Sequence, residues 1–144
     1  MPPQGSPNDQ RYSYTPIANP DIIRILTLNP GLPGDPLFGE LHHTSLSDLE
    51  KVNAGSDDQD YEAISYVWGI AIYSPKFRCP GGLIPVTSNL EEVLLHVRLS
   101  DRPRRLWIDG LCINQQDIRE RGHQVKLMGR VYSKCCQGID LVRL

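Results

Sequence analysis

The chain has 144 residues, 40% of them hydrophobic and 22% charged, with a formal net charge of −2. That length suits one domain with a core of its own. The near-neutral charge gives no overall basic field to attract nucleic acid or an anionic membrane, and no apolar run nears the roughly 20 residues of a membrane span.

Residues 1–20 carry Pro2, Pro3, Pro7, Pro16 and Pro20 among polar residues. This composition predicts a disordered leader, with the folded domain over 21–144. It has no apolar h-region, so it does not read as a secretory signal. Ile22 to Leu28 is apolar and β-rich and stops at Asn29-Pro30-Gly31, which predicts a strand. Leu37 to Thr44 is its expected return strand in an N-terminal β-hairpin. Ser45 to Lys51 is expected to make one helical turn, and Asn53 to Asp60 an acidic loop.

Tyr61 to Trp68 predicts a strand covered on both faces. Ser74-Pro75 and Cys79-Pro80-Gly81-Gly82 predict short strands around turns over 70–87. Ser88-Asn89-Leu90-Glu91 has the capping-box pattern, and Leu90, Val93, Leu94 and Val97 form a helical stripe over 89–99. Arg98, Arg102, Arg104 and Arg105 cluster where that helix ends, which suits the helix dipole.

Leu106 to Ile113 predicts a second covered strand. A helix over 118–134 should follow, with Asp117 as N-cap and Glu120 at the third position. Ile118, Val125, Met128, Tyr132 and Cys135 lie at helical spacing and are the expected inner stripe. Gly122 and Gly129 lie seven apart, and each costs about 1 kcal/mol against Ala in a helix interior, so close packing is expected there. Residues 139–143 predict a third strand. The order strand, helix, strand, helix, strand implies crossovers within a parallel sheet. The last strand lacks a covering helix, so the chain reads as the first part of a larger domain.

Cys79, Cys112, Cys135 and Cys136 have no framework spacing, which points to a reduced, cytoplasmic protein. The four histidines and four cysteines show no zinc-type spacing, and no metal is expected.

Working side chains of an open α/β sheet sit at the carboxyl ends of strands. Here those positions fall on the run Leu106-Trp107-Ile108-Asp109-Gly110-Leu111-Cys112-Ile113-Asn114-Gln115-Gln116-Asp117. Asp109 is a candidate catalytic or ligand-binding carboxylate, or a loop-bracing acid. Asn114 and Gln115 can read a base or ribose edge, or satisfy the turn into the next helix. Glu120 is a candidate general acid/base, or a cap and helix-dipole complement. Arg119 or Arg121 could pair with Asp109 or Glu120, or contact a phosphate. Trp68, followed by Gly69, could cap a pocket by stacking or belong to the core. Trp107 and Cys112 read as core.

Together with Tyr61-Glu62-Ala63-Ile64-Ser65-Tyr66-Val67-Trp68-Gly69 upstream, and Glu120-Arg121 and Gln124-Val125 downstream, this run resembles the fungal heterokaryon incompatibility domain. The resemblance covers residues 61–135 and, more weakly, 22–49. It implies a signalling module linked to regulated cell death after non-self recognition in filamentous fungi, working through self-association or protein partners. That family has been likened to the Toll/interleukin-1 receptor domain, which implies a flavodoxin-like parallel sheet. Some domains of the wider class cleave NAD with a glutamate on the helix after the third strand. That helix would start beyond Leu144, so the resemblance implies no NAD cleavage by this chain alone and NAD as a cofactor only in a fuller relative. The alternatives are a nucleotide-handling enzyme domain and an inactive fragment. Departures from the family pattern are Ile70, where an acidic or small polar residue is usual, Gly110 for Ala, and Val142-Arg143-Leu144 for Trp-Leu-Gly.

Overall fold

A computed structural model describes residues 10–51, 61–66, 73, 76–134 and 139–142. Ile22–Leu28 forms β1 and Gly39–Ser45 forms β2, paired antiparallel with Ile22 opposite Ser45. This is the expected hairpin. A short helix, α1 (Leu46–Lys51), follows. Asp21 starts it, accepting hydrogen bonds from the hydroxyls of Ser45 and Ser47 and from the Ser47 backbone N–H. Those donors hold the Asp21 carboxyl below its ordinary value.

Glu62–Tyr66 is β3. Lys76–Cys79 (β4) and Gly82–Pro85 (β5) make a separate two-stranded ribbon. Ser88–Val97 is α2, and Arg104–Ile108 is β6. The cap of α2 lies one residue before the expected box: the Thr87 hydroxyl accepts from the Leu90 N–H at 3.1 Å. Leu90, Val93, Leu94 and Val97 are buried as the stripe requires.

The expected strand over 106–113 is corrected. It ends at Ile108, and Asp109–Cys112 winds into one helical turn, α3. Leu111, Cys112 and Ile113 are buried all the same. An apolar run of this length suits a buried helical turn as well as a strand. Ile118–Lys134 is α4 and Ile139–Val142 is β7.

The main sheet has the order β2-β1-β6-β3-β7. β6, β3 and β7 are parallel neighbours, and β1 joins β6 antiparallel. The hairpin therefore extends the same sheet and makes it mixed. β1 becomes an inner strand, with Ile23, Ile25, Leu26 and Leu28 in the core.

The stripe on α4 is corrected as well. Its buried residues are Gln124, Leu127 and Val131, while Ile118 and Val125 are 84% and 55% exposed. A polar residue takes an inner position because the Gln124 Nε2 donates to the Ile22 carbonyl at 2.9 Å. Met128 and Tyr132 are partly buried against the core, and Trp107 is fully buried with its ring edge-on to Tyr132. Gly122 and Gly129 have no described atom within 4 Å of a built Cβ, so no close packing accounts for them.

Residues 10–15, within the expected leader, make defined contacts. Tyr12 and Gln10 hydrogen-bond the backbone of Leu83 on β5. Gly82 permits this docking, because a Cβ there would stand 2.5 Å from the Gln10 carbonyl oxygen and 2.6 Å from the Tyr12 nitrogen. Among the described residues, no helix is long and apolar enough to cross a membrane.

Candidate cleft at the strand ends

The motif run folds as strand, helical turn, tight turn and helix. Asp117 caps α4, its Oδ1 accepting from the Glu120 N–H at 3.1 Å, and its own N–H donates to the Asn114 carbonyl. The Asn114 side-chain oxygen accepts from the Gln116 N–H at 3.2 Å. The Gln115 Nε2 reaches back to the Asp109 carbonyl at 2.8 Å and ties the turn to α3. Asn114 and Gln115 thus do the local bracing that short polar side chains favour at helix starts.

Glu120 points inward. Its carboxylate, 7% exposed, takes two bonds of 2.6 and 2.8 Å from the guanidinium of Arg24 and one from the Asn114 N–H. Arg24 lies on β1, is 1% exposed, and also donates to the carbonyls of Cys112 and Thr15. Its guanidinium sits 4.7 Å from the Tyr14 ring centroid. Pairing both charges and filling most donor positions is what permits such burial. The general acid/base candidate Glu120 is thus held in an ion pair with Arg24 rather than with Arg119 or Arg121, and it keeps its place in the first turn of α4, where a carboxylate complements the helix dipole. Arg24 was missed by the sequence reading, although a lone arginine inside the apolar strand Ile22–Leu28 was its visible signal.

Next to this framework lies a cleft of about 770 Å³. Tyr66 at the end of β3 and Gly110 just after β6 place it at the carboxyl ends of two parallel strands. Tyr12 and Tyr14 form one wall, and Thr87 and Leu90 bring the start of α2 to it. Asn114 and Gln115 line it. Asp109 and Glu120 do not line it. Asp109 borders a smaller neighbouring depression, which shares Gln115 and Arg121 with the cleft. Trp68 and Gly69 lie outside the described residues.

Gly110 is a tight point. A Cβ there would stand 2.5 Å from the Tyr66 hydroxyl oxygen and 2.7 Å from Leu90 Cδ2. The Tyr66 hydroxyl thus occupies the space that a side chain at position 110 would need. Burial, and then the charge of Asp109, push the Tyr66 phenol well above its ordinary pKa. Burial likewise pushes the Cys112 thiol up to about 12, so it is a neutral core thiol and not a nucleophile. The Tyr14 phenol is also raised by burial, and it donates to the Leu111 carbonyl at 2.8 Å. Among the described residues, no group of three His, Cys, Asp or Glu is placed to hold a metal ion.

The family model described as heterokaryon incompatibility protein (HET) matches residues 61–141. The chain is 33% identical over 121 residues to heterokaryon incompatibility protein 6, OR allele, of Neurospora crassa, covering 66% of this chain and 18% of that protein. The chain thus spans less than a fifth of the relative it matches. No solved structure matches.

Proposed function

The chain belongs to the heterokaryon incompatibility family, and on that premise we propose that it is a cytoplasmic signalling module. It would link non-self recognition to regulated cell death in filamentous fungi through contact with a protein partner or a second copy. In the same proposal, the parallel strands β6, β3 and β7 form the core of a flavodoxin-like sheet of the Toll/interleukin-1 receptor kind. The observation that carries the functional reading is the division of labour on α4. Its inner face is fixed to the core through Glu120, Gln124, Leu127 and Val131, while its outer face presents Ile118 and Val125 to solvent. Exposed apolar residues on a rigid, well-anchored helix suit a contact surface.

The test is expression of the chain in a filamentous fungus, scored for growth arrest and loss of viability. Ile118→Asp with Val125→Asp should remove the response while the purified variant keeps the parent's melting temperature. A response unchanged by both substitutions would sink this role for the face.

A second reading, a nucleotide-cleaving domain, draws on the cleft at the strand ends, where open α/β sheets take their ligands. It needs a carboxylate directed at the ligand, and the acid closest to that role is Asp109 in the neighbouring depression. NAD incubated with the chain tests this reading.

A further inference from the structure

The cleft has a chemical bias that the whole chain does not share. The protein is net acidic, at −2. Yet the described residues lining the cleft include Arg11, Lys76 and Arg121 and no carboxylate. None of these three cations makes an ion pair among the described residues. The other cations near the core are occupied: Arg24 holds Glu120, Arg104 holds Glu62, and Arg98 donates to the carbonyls of Leu32, Asp35 and Pro36. Three cations without an ion pair among the described residues, set around one concavity, concentrate positive potential there, because low-dielectric walls focus the field. The start of α2 adds the partial positive charge of a helix N-terminus at Thr87.

The remaining lining is flat and amphipathic. Tyr12 and Tyr14 pack edge to face, with ring centroids 5.2 Å apart, and Tyr66 also lines the cleft. The Gln116 carboxamide, together with the Asn114 Nδ2 and Gln115 Oε1 atoms that the turn bracing does not use, supplies donors and acceptors for the edge of a heterocycle. A volume of about 770 Å³ lies inside the range of small-molecule sites.

We propose that this cleft binds an anionic ligand with a planar heterocycle, of the nucleoside-phosphate class. Arg11, Lys76 and Arg121 hold the phosphate, and the tyrosines and carboxamides receive the ring. The proposal concerns binding only and does not rest on the signalling role of α4. Failure of the cell-death assay would leave it standing, and failure here would leave that role standing.

The experiment is calorimetric titration of the full chain with AMP, adenosine and inorganic phosphate, each at low and high salt. AMP should bind saturably, adenosine and phosphate alone at least about tenfold more weakly, and the AMP affinity should fall as salt rises. Arg121→Gln and Arg11→Gln should each weaken AMP about five- to tenfold and flatten its salt dependence. Arg119→Gln, on the same helix but away from the cleft, should change nothing. Circular dichroism melts establish that each variant is folded. Equal affinity for AMP and adenosine, equal losses in Arg119→Gln and Arg121→Gln, or no saturable AMP binding at millimolar concentration would each overturn the proposal.

Discussion

Arg24 and Glu120, 96 residues apart in sequence, meet in a two-pronged ion pair that ties the second strand from the sheet edge to the first turn of the motif helix. The same guanidinium reaches Cys112 and Thr15, so one side chain links the N-terminal segment, β1, α3 and α4.

Removing one partner leaves the other charge buried. Arg24→Ala and Glu120→Ala should each cost about 3–5 kcal/mol of unfolding free energy. Arg24→Met combined with Glu120→Leu should cost clearly less than the sum of the two alanine variants, because no uncompensated charge remains. Urea denaturation of the four proteins measures this. Additive losses would show that the pair is not the source.

Gly110→Ala should destabilise by about 1–3 kcal/mol, since the new methyl meets Tyr66 and Leu90 and the core must shift. Adding Tyr66→Phe removes the closer of the two contacts and should recover part of the loss. No recovery would place the strain on Leu90 alone.

The raised pKa of Cys112 sets an alkaline limit. A thiol whose folded pKa lies near 12 contributes stability that is complete below its unfolded value of about 8.5. That contribution is lost as pH rises from there towards about 12, and the raised Tyr14 and Tyr66 phenols act in the same direction. Melting temperature should therefore decline above about pH 8.5. At pH 8, Cys112 as the sole cysteine should resist a thiol reagent until the protein unfolds. Fast modification of native protein would contradict its burial.

The chain alone should leave NAD intact over a long incubation, followed by chromatography of the products. Turnover abolished by Asp109→Asn would move the catalytic acid to the margin of the cleft. Turnover abolished by Glu120→Gln, with stability preserved, would contradict the structural role of the ion pair.

Much of the framework was legible from local pattern. β1 and α4 begin and end where the sequence placed them, since a turn-terminated β-rich run and a capped helix carry their own signals. What misled was phase and partnership. The inner face of α4 holds Glu120 and Gln124, polar residues that no hydrophobic stripe would select, because their partners lie on β1 about a hundred residues away. The break at Asp109 was hidden because buried apolar residues continue through it in a different conformation. Of the candidate site, Asn114 and Gln115, chosen by the strand-end rule, line the cleft. The walls supplied by Tyr12, Tyr14 and Lys76 come from distant segments with no motif of their own.

The mixed sheet also fixes an order of events during synthesis. The β1–β2 hairpin leaves the ribosome first, but the inner edge of β1 is closed only by β6, and Arg24 is neutralised only when Glu120 emerges. Until then the nascent hairpin carries an open strand edge and a charged group destined for the interior. Non-local pairing of this kind is slow and exposed to misassociation. Yield of folded protein should therefore depend on conditions during translation more than the finished domain's stability would suggest.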